Sequence, residues 1–338
     1  MSSPFVHHNG EVRLVIQIPC FNEAETLPAT LEDLPRRVTG FDEVIWLVID
    51  DGSSDKTAEV AKAHGVDAVV KLTQNKGLAV AFQVGLDAAL QLGADVIVNT
   101  DADNQYSAAN IPDLVEPITQ GHADLVVGTR DIANHEEFSV LKKYLQKIGS
   151  WVVRQASATE VSDVTSGFRA YSKEAALQVN VVSQFTYTLE TLIQAGRSDL
   201  AVVDVPISVN PTTRPSRLFR SKRQYVRRSA ATISRVYAMH QPLRVFNIPA
   251  AVFAVAGLIL FGRFGWFYLT AGGEGHIQSL IVGAVCLLVA MQMLMLGLLA
   301  DLLRSNRVIS ERVLRRVRNI ELTLGDYSTI DDEATPDP

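Results

Sequence analysis

Along the first two thirds of the chain, short continuous apolar runs alternate with stretches of helical spacing. The runs at 12–18, 43–49, 67–72 and 95–99 are rich in Val and Ile and barely alternate with polar residues, which predicts parallel strands buried on both faces. Between them, 25–34 and 77–92 carry helical spacing, and a further helix runs from a cap at Ser54 or Asp55 to about His64. The alternation continues through a helix at 111–119, a short strand at 125–127 that delivers Arg130, a long helix at 136–158, a helix beginning at Phe185 and a last strand at 200–209. This order predicts an α/β domain whose mostly parallel, Rossmann-like sheet is covered on both faces.

The hydrophobic pattern then changes. Residues 245–270 and 277–303 are almost uncharged, and each run exceeds the about 20 residues needed to cross a hydrocarbon core. Arg263 falls near the end of the first run, where it can snorkel beside Trp266 and Tyr268. Ahead of both runs, 216–240 is amphipathic, with Leu218, Phe219, Val226, Ile233 and Tyr237 at helical intervals and arginines on the other faces, as in helices that lie among lipid headgroups. Arginines crowd both outer flanks, whereas the loop at 271–276 carries Glu274 and no Lys or Arg. The positive-inside rule therefore places both chain ends in the cytosol and the loop outside, in a multi-pass protein of the cell membrane. Residues 1–10 lack the pattern of a signal peptide, so the large domain is expected in the cytosol. The expected layout is a disordered 1–10, an α/β domain at 11–212, an amphipathic helix at 213–244, a two-helix transmembrane hairpin at 245–303 and a cytosolic tail at 304–338, acidic and disordered after Ile320.

Composition changes this picture little. The net charge of −6 hides an acidic N-terminal half and a basic middle. The basic segment leads directly into the apolar runs, which favours lipid over nucleic acid as its partner. Cys20 and Cys286 are far apart and read as small buried hydrophobes, with no disulfide framework or zinc site.

The chemistry lies in the polar residues that follow the strands. The run at 96–98 leads into Asp101 and Asp103, an i, i+2 pair that in an extended chain points to one side, with Gln105 as a third oxygen on that side. Such a set suits a hard cation, because magnesium takes one or two carboxylates together with substrate phosphates. Asn22-Glu23 and Asp50-Asp51 end two other strands, and in open parallel sheets ligands bind beyond the strands' carboxyl ends. No G-x-G-x-x-G follows the first strand and no G-x-x-x-x-G-K-[ST] occurs, so phosphates are not expected on glycine-rich backbone. Acidic strand exits instead predict a nucleotide held through its sugar hydroxyls and through a metal on its phosphates.

Taken in order, Pro19-Cys20-Phe21-Asn22-Glu23, Asp50-Asp51-Gly52-Ser53-Ser54-Asp55, Asn75-Lys76-Gly77, Asp101-Ala102-Asp103 and Gly128-Thr129-Arg130 resemble the successive motifs of the family 2 glycosyltransferases. More narrowly, Asp101-Ala102-Asp103-Asn104-Gln105 and Ser166-Gly167-Phe168-Arg169 are similar to the polyprenyl-phosphate glycosyltransferases, the dolichyl-phosphate mannose synthase-like branch. The resemblance extends to about residue 210 and implies a GT-A fold, a nucleotide-diphosphate sugar as donor, magnesium or manganese, and inversion at the anomeric carbon. Asn104 and Tyr106 depart from the residues more usual in that branch, so no particular sugar is implied.

For individual residues the resemblance implies a metal on Asp103 and Gln105 with Asp101 alongside, and Asp101, Asp103, Arg130 and Arg169 as the catalytic set. Pro19, Phe21 and Glu23 would wall the nucleotide pocket, Asp51 would hold base or ribose, and Lys76 and Asp101 would meet the nucleotide sugar. Arg130, Arg169 and Ser166 would hold the acceptor phosphate, joined by Arg214 and Arg217 near the membrane. Glu190 falls where relatives carry an acid near the reaction centre, and reads equally as a helix N-terminal acid favoured by the dipole. The expected partners are a nucleotide sugar, polyprenyl phosphate and the membrane, without nucleic acid, and a homo-oligomer is compatible with these features. Three other readings remain open. One is a glycosyltransferase with another lipid or a polysaccharide as acceptor, for which Gln224-Tyr225-Val226-Arg227-Arg228 matches the Q-x-x-R-W motif only in part. The others are a non-catalytic nucleotide-sugar-binding scaffold and a lipid transporter, for which two spans alone are too few.

Overall fold

The computed structural model describes residues 11–130, 161–181, 187–196, 198, 200–210, 241–271 and 277–332. The chain divides into two units, residues 1–224 together with 313–338, and residues 225–312. The helix expected at 136–158, the amphipathic helix at 216–240, the N-terminal 1–10 and the loop at 272–276 lie outside the described residues.

The first unit contains strands β1 (Arg13–Cys20), β2 (Glu43–Asp50), β3 (Ala68–Lys71), β4 (Val96–Asn99), β5 (Leu125–Arg130), β6 (Arg169–Ser172) and β7 (Val202–Ile207). They form one sheet in the order β3-β2-β1-β4-β6-β5-β7. β1 to β4 pair in parallel, as do β5 and β7, while β6 runs antiparallel between β4 and β5. The expectation of a mostly parallel sheet therefore holds. The inserted β6 was not expected, because four buried residues are too few to show a period. β1 sits inside the sheet, and Leu14, Ile16 and Ile18 have no exposed surface. Each such side chain contributes about 1.5–3 kcal/mol by leaving water.

Helices α1 (Leu27–Asp33), α2 (Thr57–Ala63), α3 (Leu78–Gln91), α4 (Ile111–Thr119), α5 (Lys173–Gln178) and α6 (Tyr187–Ala195) complete the described part of this domain. The N-cap of α2 is Lys56 rather than Ser54 or Asp55, while Asp55 Oδ1, one residue earlier, accepts from Thr57 N at 3.0 Å. The Ser172 hydroxyl caps α5 by accepting from Ala175 N at 3.1 Å.

The second unit holds α7 (Pro242–Ala271) and the first part of α8 (Ile277–Asp332). Pro242–Thr270 and Ile277–Asn306 are long and apolar enough to cross a membrane, and only 11% and 17% of their most apolar windows are buried. Ile248, Leu258, Ile259, Leu288 and Leu302 remain more than 60% exposed. A hairpin buried in a soluble core would cover those side chains, whereas lipid would cover them here. A Cβ on Gly257 would meet the Gly283 carbonyl oxygen at 3.0 Å, and one on Gly283 the Gly257 carbonyl oxygen at 3.3 Å. Paired glycines thus let the two helices cross backbone to backbone, the contact that replaces hydrophobic packing in lipid.

α8 does not stop at the apolar run. It continues to Asp332, so the segment after Ile320 is helical where the sequence predicts disorder. Helix already nucleated upstream propagates at the cost of one residue per hydrogen bond, which carries it into polar sequence.

Candidate active site

Strand register builds the site. Cys20 pairs with Asp50, Gln17 with Asn99 and Asn99 with Arg169, while Arg130 ends β5. Asp51, Asp101 and Arg130 therefore all stand at carboxyl ends of parallel strands, on one rim of the sheet.

The exits of β1 and β2 are tied together and to the loop before α3. Asn22, in the left-handed region at φ 56°, donates from its N–H to Ser53 Oγ at 2.9 Å and accepts at Oδ1 from Ser54 N at 2.8 Å. Gly52 has φ +67°, and a Cβ there would run into the Gln74–Asn75 backbone, so only glycine admits this approach. Asp51 is buried, and its Oδ1 and Oδ2 accept from Lys76 N and Gly77 N, each at 2.8 Å. Its carboxylate thus shapes the loop that carries the exposed Lys76. Phe21 is 44% exposed beside this rim and Glu23 is half-buried, so both have surface to offer a nucleotide. Pro19 does not: it is buried within β1 and supports the rim from below.

After β4 the chain turns rather than continuing extended. Asp103 Oδ1 accepts from Gln105 N at 3.2 Å, and Asn104 takes φ 53°. An Asx turn is what Asp and Asn favour here, and it replaces the extended i, i+2 geometry expected from sequence. The two carboxylates still act on each other. Burial, then Asp103, with a further push from Glu23, raise the Asp101 carboxyl to about 7 against the pull of Arg130. Like charges crowded at a half-buried rim are a place for a cation, and Asp101, Asp103 and Gln105 are oxygen donors of the kind magnesium or manganese takes. Among the described residues no cluster of three or more His, Cys, Asp or Glu forms an all-protein cage.

Arg130 faces this acid. Its Nε donates to Asp163 Oδ2 at 2.7 Å and its Nη2 to Thr165 Oγ1 at 3.2 Å, with the guanidinium 6.0 Å from the Tyr106 ring. Burial would weaken its basicity, but Tyr106, Asp163 and Asp101 outweigh burial and hold it charged. Tyr106 is pushed up to about 12 by burial and by Asp101, so its hydroxyl stays protonated, and it accepts from Gly167 N at 3.1 Å. Its ring stacks on Phe168 with centroids 5.1 Å apart.

Gly167 forms the floor beneath Asp101. A Cβ there would lie 2.8 Å from the Tyr187 hydroxyl and 3.3 Å from Asp101 Oδ1. Asn99 fixes this floor by donating from Nδ2 to Gly167 O at 2.8 Å and to the Tyr187 hydroxyl at 3.0 Å, while its Oδ1 accepts from Gln17 Nε2 at 2.9 Å.

Arg169 requires a correction. It has no exposed surface, and its guanidinium donates to Ser166 O at 2.8 Å, Thr188 O at 2.8 Å, Thr191 Oγ1 at 2.6 Å and Val164 O at 3.0 Å. It staples the 163–169 segment to α6 and has no exposed surface to offer a phosphate. Ser166 is equally buried, with its Oγ accepting from Phe168 N at 3.3 Å, so it is a turn residue here rather than a phosphate donor. Glu190 is buried on α6, 3.5 Å from Gln194 Nε2. Asn99, Tyr106, Asp163 and Tyr187 were not predicted as site residues. Tyr106 stands out in the sequence only as a departure from the resembled motif, and Asp163 only as an acid three residues before Ser166.

Comparison with known proteins points the same way. The model of "Glycosyl transferase family 2" matches residues 15–179. The UDP-N-acetylglucosamine–dolichyl-phosphate N-acetylglucosaminyltransferase of Methanococcus voltae is 31% identical over 215 residues, covering 56% of this chain and 82% of that protein. The undecaprenyl-phosphate mannosyltransferase of Micrococcus luteus is 29% identical over 207 residues, 58% of this chain and 83% of its own. In fold the chain is similar to glucosyl-3-phosphoglycerate synthase of Mycobacterium tuberculosis, solved with Mn2+, UDP and glucosyl-3-phosphoglycerate, with a TM-score of 0.53, 19% identity and coverage of 68% and 80%.

Proposed function

The chain belongs to glycosyl transferase family 2, and we propose that it is a membrane-bound inverting glycosyltransferase moving a hexose from a nucleotide diphosphate to a polyprenyl phosphate at the cytosolic leaflet. The observation that carries this reading is the guanidinium of Arg130, held by Asp163 and facing the Asp101 rim. A fixed cation opposite a cluster of acids suits two anionic substrates that meet. The named relatives that act on undecaprenyl phosphate and dolichyl phosphate support the acceptor class.

Phe21 and Glu23 border the nucleotide, and Asp51 keeps the Lys76–Gly77 loop against it. Asp101, Asp103 and Gln105 would hold magnesium or manganese, which when bound neutralises the donor diphosphate and the charge that grows on it as it leaves. Arg130 holds the acceptor phosphate in line with the anomeric carbon. A phosphate monoester has its second pKa near 6 and is largely dianionic at pH 7, so it attacks without a dedicated base. Arg169, Asn99 and Tyr187 act through the floor at Gly167. The two apolar helices would form the anchor, with both chain ends and the catalytic domain cytosolic.

The purified chain, supplied with labelled nucleotide sugars and offered polyprenyl phosphate, a neutral glycolipid or a polysaccharide primer, separates the alternatives. Label that partitions into the lipid phase only with polyprenyl phosphate supports the proposal. Label on another acceptor replaces it, and binding of nucleotide sugar without transfer to any acceptor points to a scaffold.

A further inference from the structure

Residues 179–181 lie between α5 and α6, and each has a backbone group held by a side chain from another element. The Val179 carbonyl accepts from Arg318 Nη1 at 3.2 Å. Asn180 donates to Gln194 Oε1 at 2.9 Å, and its carbonyl accepts from Gln194 Nε2 at 2.6 Å. Val181 N donates to Gln83 Oε1 at 2.9 Å. Two of these holders converge on one acid, because Arg318 Nη2 is 3.2 Å from Asp87 Oδ1 and Gln83 Nε2 donates to that same oxygen at 3.2 Å. Arg318 lies in the part of α8 that belongs to the first unit, as do α3, α5 and α6.

What this segment leads into matters for the site. α6 begins at Tyr187, whose hydroxyl abuts Gly167, and its Thr188 carbonyl and Thr191 hydroxyl hold Arg169. Gln194, at the other end of α6, grips Asn180. We infer that Arg318 is a positioning residue: by docking α8 on Asp87 and Val179 it fixes the 179–181 segment and, through Gln194, α6, whose hold on Arg169 steadies the 163–169 segment that carries Asp163, the partner of Arg130. The link to the acceptor rests on the function proposed above. An ordinary surface ion pair would contribute about 0–1 kcal/mol and could be removed without trace. Arg318 differs because its side chain is only 15% exposed and its fork engages a carbonyl and a carboxylate together, which an ammonium does not reproduce.

The test uses the full-length chain in lipid nanodiscs, with Arg318→Ala, Arg318→Lys and Asp87→Asn. Amide hydrogen exchange is read across 187–195, with β1 as the internal reference, alongside KM for donor and for polyprenyl phosphate. Arg318→Ala is expected to speed exchange in 187–195 by about tenfold, the loss of one charge-assisted hydrogen bond, and to raise KM for the lipid without raising KM for the donor. Arg318→Lys should recover only part of both effects. Should Arg318→Ala fail to fold, Asp87→Asn weakens the same contact without changing its shape and is expected to show the same pattern. Unchanged exchange in 187–195 would overturn the inference outright. Faster exchange with both KM values unchanged would overturn the link to the site, and faster exchange with a raised donor KM alone would overturn the reading of this side as the acceptor's.

Discussion

Arg130 and Asp163 form an ion pair at 2.7 Å in which the acid is almost wholly buried, at 1% exposure, and the base is 26% exposed. The geometry makes Asp163 the holder, and the proposed function assigns the exposed part of the guanidinium to the acceptor phosphate. Arg130→Ala is expected to lower acceptor use roughly ten- to hundredfold, the worth of about 1.5–3 kcal/mol for a charge-assisted hydrogen bond. Arg130→Lys should rescue part of this, and Asp163→Asn should shift the same parameter by less. Steady-state kinetics with calorimetry of the donor alone decide the matter. A change confined to donor affinity would move Arg130 to the diphosphate.

Arg169→Ala should act on the fold before it acts on chemistry. It strips a partner from the buried carbonyls of Val164 and Ser166, while that of Thr188 keeps the Thr191 hydroxyl at 3.3 Å, and each group left unmet costs about 1–3 kcal/mol. Thermal unfolding is expected to show a markedly lower midpoint, and Arg169→Lys should rescue little because one ammonium cannot span four acceptors. A stable Arg169→Ala protein with a raised lipid KM would instead return this residue to the acceptor phosphate.

Gly167→Ala places a methyl group 2.8 Å from the Tyr187 hydroxyl and 3.3 Å from Asp101. Overpacking of this kind typically costs about 1–3 kcal/mol, and here it also displaces the Asp101 carboxylate. Loss of activity larger than the loss of stability is the expected outcome, measured by comparing transfer rate with unfolding midpoint. Wild-type rates would show that the floor is softer than described.

Topology is open to direct labelling. A cysteine placed by Gly273→Cys is expected to react with an impermeant maleimide from outside intact cells, while Ser328→Cys reacts only after permeabilisation. The reverse pattern would overturn the orientation drawn from the arginine-rich flanks.

Much of this was legible in the sequence for physical reasons. Strands buried on both faces announce themselves as unbroken Val and Ile runs, and β1, β2 and β4 fall within two residues of the predicted bounds. The acids at their ends stood out because three clusters recur at equivalent places. What stayed hidden depends on contacts distant in sequence. β6 is short and takes its identity from neighbours on both sides, Asn99 and Val127 flanking Arg169. Arg169 looked like a phosphate ligand because a motif names residue types and not the direction in which they point. Gln17, Asn99 and Tyr187 are ordinary in sequence and become a network only when β1, β4 and α6 are brought together.

Metal-assisted transfer to a lipid phosphate at the Asp101–Asp103 rim is tested by measuring transfer of labelled hexose to polyprenyl phosphate by the purified full-length chain with magnesium or manganese, with and without EDTA, beside Asp103→Asn. Label is expected in the lipid fraction for the wild type, with near-complete loss in saturating EDTA, recovery on adding back the metal, and near-zero transfer by an Asp103→Asn protein that unfolds at the wild-type temperature. Full transfer in EDTA, or by Asp103→Asn, would contradict it.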